Sequence, residues 1–121
     1  MYQGLILVLH VLEIRAFGNS SGTLRHMSKV FLHVEINVRP GKFEEFVTLL
    51  SERIKIIGIE AGCEYIEIFQ NVEQSDVVHV YETWSDHNSW DAHMTNNESV
   101  TWQKVSADLI FGETIALLKK L

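Results

Sequence analysis

Residues 29–38 read KVFLHVEINV, and the strict alternation of this stretch decides the fold. Val30, Leu32, Val34, Ile36 and Val38 fall on one phase; Phe31, His33, Glu35 and Asn37 fall on the other. A period of two is a strand with one face on a core. RPGK (39–42) stops it, because Pro40 and Gly41 break regular pairing. Beyond that break the period changes. Phe43, Phe46, Val47, Leu50, Ile54 and Ile57 recur at spacings of three and four, the apolar stripe of a helix. Glu44 and Glu45 sit in its first turn, where negative charge suits the positive end of the helix dipole. Gly58 and Gly62 mark its end.

The alternation returns in CEYIEIFQ (63–70), with Tyr65, Glu67 and Phe69 set against Glu64, Ile66 and Ile68. NVEQSD (71–76) is a polar turn, and VVHVYETW (77–84) is a third strand rich in β-branched and aromatic residues. A turn this short predicts an antiparallel hairpin. Ser85 or Asp86 then caps a short helix running from Asp86 to about Thr95. A further helix is expected over about 99–110, with Trp102, Val105 and Leu109 on one side and Gly112 as its breaker. Residues 113–121 suit either a helix end or a last strand, and the strand is favoured because the sheet otherwise has only three members. The order β-α-β-β-α-(α)-β predicts an α+β fold of the ferredoxin-like, split βαβ type, an antiparallel sheet with helices on one face. Its other face is left bare and carries Phe31, His33, Glu35, Asn37, Tyr65, Glu67 and Phe69. Rings mixed with ionisable groups predict that two copies close these faces together as a homodimer, with a cavity between them.

A chain of 121 residues argues for one domain, and 46% hydrophobic with 21% charged residues is ordinary for a globular protein. The net charge of −6 argues against nucleic acid, since the nearest thing to a basic patch is Lys119–Lys120. Cys63 is alone, so no internal disulfide forms, which fits a reducing, cytoplasmic setting. GLILVLHVLEI (4–14) is shorter than the roughly 20 apolar residues a membrane helix needs, so no membrane association is expected. GNSSGTLRH (18–26) reads as a linker, and Met27 opens the domain. Residues 1–26 are then an N-terminal extension, arising from a mis-set start or serving as an extra strand, with residues 27–121 as the domain. Six histidines invite a metal, yet none has an HExxH spacing and His87 and His93 do not share a helix face, so no metal site is expected.

YETWSDHNSWDAHMTN (81–96) crowds Glu82, Trp84, His87, Trp90 and His93 together, and reads as a pocket wall where the third strand hands over to its helix. VEINVRPGKFEEF (34–46), EAGCEYIEI (60–68) and YETWSDHNSWDAHM (81–94) together resemble the antibiotic biosynthesis monooxygenase family. They match its order: a strand ending in Pro-Gly-Lys, a Gly-Cys before the second strand, Glu-x-Trp, then a helix histidine. The resemblance covers 29–121 and implies a ferredoxin-like chain paired as a dimeric α/β barrel. It also implies membership of a family with cofactor-free quinol monooxygenases, haem-degrading enzymes and an isomerase of a quorum-signal sugar phosphate. Carried over residue by residue, it points to Glu82 and Trp84 as the Glu-x-Trp and to His93 as the helix histidine. Tyr65 stands for the aromatic after Gly-Cys, and Trp102 for an aromatic on the next helix. Haem-degrading relatives use an Asn, a Trp and a His; here His93 stands at the Trp position and the later His position falls near Gln103. No haem ligand is evident, and no cofactor is expected.

Cofactor-independent oxygenation needs an electron-rich substrate, a base, a dry aromatic pocket and donors for a developing oxyanion. His93 or His33 is the candidate base, Asn37 the donor, and Glu82 a further catalytic candidate. Tyr65, Phe69, Trp84, Trp90 and Trp102 are the candidates for holding a planar ring. Each has a plainer reading. His93 packs beside Trp90, His33 lines an interface, Glu82 pairs with a cation, and Asn37 serves a turn. The function expected is a cofactor-independent monooxygenase of a small aromatic or quinol-like molecule. An isomerase or lyase of a small hydroxycarbonyl compound, and a non-catalytic small-ligand-binding dimer, are the alternatives.

Overall fold

The alternating stretch forms β1 (Val30–Val38), whose five aliphatic residues are buried while the four between them keep part of their surface. The structure is a computed structural model and describes residues 28–121. The expectations for residues 1–26 and for Met27 lie outside the described residues. After β1 come α1 (Phe43–Ile57), β2 (Cys63–Gln70), β3 (Val77–Trp84), α2 (His87–Thr95), α3 (Asn97–Ser106) and β4 (Ile110–Leu118). The four strands form one antiparallel sheet in the order β2-β3-β1-β4. This is the α+β ferredoxin-like plan.

The helices cover the face that holds Val30, Leu32, Val34, Ile36, Val78 and Val80. Phe46, Leu50 and Ile57 of α1 pack on that face, with Trp84 and Trp90 fully enclosed beside them. Asp86 caps α2 by accepting from the Ser89 amide at 2.7 Å, and Asn96 caps α3 by accepting from the Ser99 amide at 2.7 Å. Gly62 holds a φ of +86°, and a Cβ there would lie 2.2 Å from Ser89 Oγ. Only glycine lets the chain pass this close beneath α2.

The chain after α2 departs from expectation. The third helix occupies Asn97–Ser106 rather than 99–110, and the last strand begins at Ile110 rather than 113. Gly112 is therefore a strand residue, opposite Asn37, and not a helix breaker. Pairing with β1 explains the shift. The Arg39 amide donates to the Leu109 carbonyl at 2.9 Å, and Val38 pairs with Ile110 across a bulge. Ladder bonds to an existing strand outweigh the weak helical preference of those residues. Leu109 is buried in the core but not from α3, and Val105 faces outward at 50% exposure.

Candidate functional site

A cavity of about 70 Å³ lies between the sheet and the helices. Leu32, Val34, Ile36 and Val80 floor it from the sheet; Leu50, Ile54, Ile57 and Met94 roof it from the helices. Into this apolar box project Arg53, Glu82, His93, Ser99, Gln103 and Glu113, with Trp102 at its edge. The periods of the elements put them there. Glu82 follows Val78 and Val80 on the inward phase of β3, and Glu113 stands opposite Ile36 on the inward phase of β4. Arg53 continues the buried stripe of α1 between Leu50 and Ile57.

His93 is the most constrained of these groups. Its Nδ1 lies 2.9 Å from Glu60 Oε1, and its ring stacks on Trp84 with centroids 4.8 Å apart. A carboxylate at Nδ1 holds the proton there and leaves Nε2 as the basic nitrogen. Burial lowers the His93 pKa; Glu60 opposes that fall, and Arg53 adds to it. The ring is therefore neutral near pH 7, the form a base requires.

Glu82 is 9% exposed and accepts from Trp84 Nε1 at 2.8 Å. Burial pushes its carboxyl up to about 7, against the pull of that bond and of Arg53. Glu113 is only half-buried as a residue, but its carboxyl is directed into the box. Burial first, and Glu82 second, push it up to about 7 as well. Arg53 donates from Nη2 to Ser99 Oγ at 2.7 Å, and Ser99 Oγ donates to the His93 carbonyl at 2.5 Å. The Arg53 Nε–H is buried and finds no acceptor.

The bare face holds a second constellation. His33 Nε2 lies 2.8 Å from His79 Nδ1, and the His33 ring stacks on both His79 and Tyr81. Phe69 meets Tyr81 edge-on at 5.9 Å, and the Tyr65 hydroxyl donates to Glu67. A shallow depression of about 360–410 Å³ scale lies on each side of the molecule: the one here, about 410 Å³, is walled by Phe31, Tyr65, Phe69, Tyr81, Thr83 and Leu118.

The sheet thus separates the residues that the sequence suggested as one site. Glu82 and His93 line the covered cavity; His33 and Asn37 lie on the opposite face. Trp102 lines the cavity, whereas Tyr65 and Phe69 belong to the bare face. Trp84 and Trp90 are wholly enclosed, Trp84 backing His93 and Trp90 packing against His87. Arg53, Glu60, Ser99 and Glu113 were not singled out from the sequence. The available signal was an ionisable residue on an apolar phase, which marks Arg53 and Glu113 but not the loop residue Glu60. Among the described residues no three metal-ligating side chains gather, and no helix is long and apolar enough to cross a membrane.

A family model described as antibiotic biosynthesis monooxygenase matches residues 29–105. No curated protein sequence matches the chain. Among solved structures the chain is similar to PA3566 from Pseudomonas aeruginosa, at 23% identity and a TM-score of 0.73, covering 79% of this chain and 98% of that one. It is also similar to a Nitrosomonas europaea protein provisionally assigned as an antibiotic biosynthesis monooxygenase. That match has 19% identity and a TM-score of 0.72, over 77% of this chain and 90% of the other. A conserved protein from Methanosarcina mazei matches at 21% identity and a TM-score of 0.72, over 81% and 98% of the two chains. Likeness at these identities speaks for the fold alone.

Proposed function

The chain belongs to the antibiotic biosynthesis monooxygenase family, and from that premise we propose that it is a cofactor-independent monooxygenase of a small, electron-rich aromatic substrate of the hydroquinone type. The covered cavity is its reaction site. One observation carries this reading: an imidazole, oriented by Glu60, sits in the wall of a partly open, largely apolar cavity between sheet and helices.

His93 Nε2 takes a hydroxyl proton from the substrate. The anion passes one electron to dioxygen, and superoxide recombines with the ring radical as a hydroperoxide. Loss of water leaves a new carbonyl, with one oxygen atom in the product and the other in water. Glu82 and Glu113 sit near half-protonation at pH 7, so a carboxylic acid is at hand for the proton that leaves with the water. The apolar floor keeps bulk water from the radical pair.

The cavity is smaller than the roughly 150 Å³ that holds a benzene ring, so a substrate ring must widen it. Trp102 and Arg53 line both the cavity and an outer groove of about 360 Å³ between α1 and α3. The test is oxygen uptake by the purified protein with added hydroquinone, and its loss in His93→Gln. Uptake that is absent in the wild type, or unchanged in that variant, overturns the assignment.

The small volume favours one second reading, an isomerase or lyase of a small hydroxycarbonyl compound that uses the same base and acids without oxygen. Turnover that persists in anaerobic buffer selects it. For the bare face we propose a second copy of the chain as cover, since Tyr65, Phe69 and Tyr81 stand 41–46% exposed there. In that homodimer His33 and Asn37 lie at the interface, where His33→Ala tests any part in the chemistry. The lone Cys63 suits a cytoplasmic setting.

A further inference from the structure

We propose that Arg53 is an anion-binding residue of the cavity, and that the natural substrate carries a carboxylate which this guanidinium holds. The inference rests on the reading of the cavity as the substrate site, and it adds the substrate's charge.

Arg53 is 7% exposed, so its guanidinium is a buried cation. A buried guanidinium normally has a carboxylate against it, because desolvation of a lone cation is among the least favourable arrangements in a protein interior. Among the described residues no carboxylate lies within ion-pair distance of Arg53. Its one side-chain partner among those residues is the neutral Ser99 hydroxyl, which is itself committed to the His93 carbonyl. The Nε–H is enclosed and unpartnered. An oxygen acceptor with negative charge is the missing component, and the planar fork of a guanidinium suits a carboxylate best.

The surroundings agree. Arg53 lines both the cavity and the outer groove, so a ligand arriving from the groove meets it first. The Arg53–Ser99–His93 connection fixes the guanidinium relative to the base. A carboxylate anchored at Arg53 therefore leaves the rest of a ring to reach towards His93. The other titratable groups facing this space are Glu82, Glu113 and His93 within it, Glu60 behind His93, and Glu52 and Glu98 on the groove. All but His93 are acidic, and Glu82 and Glu113 gain protons as the pH falls through about 7. An anion is therefore held better at pH 6 than at pH 8.

The experiment is calorimetric titration of the full chain with 2,5-dihydroxybenzoate and with its neutral amide, at both pH values. Expected is a preference of at least tenfold for the carboxylate at pH 6, smaller at pH 8 and abolished in Arg53→Gln. Arg53→Lys keeps the charge but loses the fork, and is expected to reduce the preference at least threefold; it serves as the reporter if Arg53→Gln does not fold. Equal binding of the two ligands, a preference that survives both substitutions, or no binding of either overturns the proposal. Selection of the carboxylate without oxygen uptake would sink the monooxygenase reading and keep this one. Oxygen uptake without selection would do the reverse.

Discussion

His93 and His33 stand on opposite sides of the same sheet. His93 is 7% exposed, fixed by Glu60 and backed by Trp84. His33 keeps part of its surface and is held by rings, His79 and Tyr81, on a face that no helix among the described residues covers. Residue type alone does not make a site. Enclosure does, because loss of water is what lowers the pKa of one imidazole and raises that of Glu82 beside it. The bare face also has rings and titratable groups, but among the described residues nothing seals it.

The largest disturbance expected is to the covered side as a whole. Gly62→Ala forces a Cβ to within 2.2 Å of Ser89 Oγ and places alanine at a φ of +86°. α2 must move off the sheet, and a loss of about 3 kcal/mol is expected by denaturant unfolding. Gly41 is the control: it also has positive φ, but a Cβ there meets nothing within 4 Å, so Gly41→Ala should lose much less. Equal losses would mean that Gly62 is there for its backbone angle only.

Next in size is the histidine pair itself. His93→Gln is expected to lower kcat/KM by roughly a hundredfold, the usual worth of a positioned base. His33→Gln is expected to change it by less than about threefold. The reverse ranking would place the chemistry on the bare face.

Which histidine was enclosed could not be read from the chain. β1 and α1 were legible because each keeps one apolar period from end to end, and β2 and β3 because most of each does. The phase of His33 was legible for the same reason. Enclosure was not, since it arises where α1, α2 and α3 meet the sheet and depends on packing between distant segments. The boundary between α3 and β4 failed similarly, because a bulge and a ladder with β1 set it. Arg53 and Glu113 were each visible as a charge on an apolar phase. Their significance comes from facing one another's cavity, which no local pattern reports.

The acids of the cavity allow a pH test of the same comparison. The folded chain holds the Glu82 proton up to about pH 7, whereas the unfolded chain releases it near 4.5. The contribution of this group is therefore fully present below the unfolded value and is lost as pH rises through the folded one. Glu82→Gln keeps an acceptor for Trp84 Nε1 and removes the ionisation. It is expected to stabilise the protein by about 2 kcal/mol at pH 8 relative to the wild type, and by little at pH 4. His93 has the opposite sign: its depressed pKa withdraws stability as pH falls below the ordinary histidine value. A difference between variant and wild type that does not change from pH 4 to pH 8 would show Glu82 to be open to water.

The smallest effect expected concerns how α2 begins. Asp86 Oδ1 accepts from the Ser89 amide, and that bond, with help from the Ser89 hydroxyl, holds the Asp86 carboxyl below its usual range. Asp86→Ala leaves the amide without its acceptor and should destabilise by about 1 kcal/mol. Asp86→Asn keeps an oxygen at the same place and should lose only part of that. Because the pKa is depressed, the advantage of the carboxylate is present at neutral pH and fades as pH falls below the ordinary aspartate value. The gap between wild type and Asp86→Ala should therefore narrow in acid. His93 sits in the last turn of the same helix, two turns from the cap, so a frayed start should reach it weakly. A loss of activity as large as that of His93→Gln would mean that α2 is seated on the cavity by its first turn and not by Trp90, Met94 and the Glu60 bond.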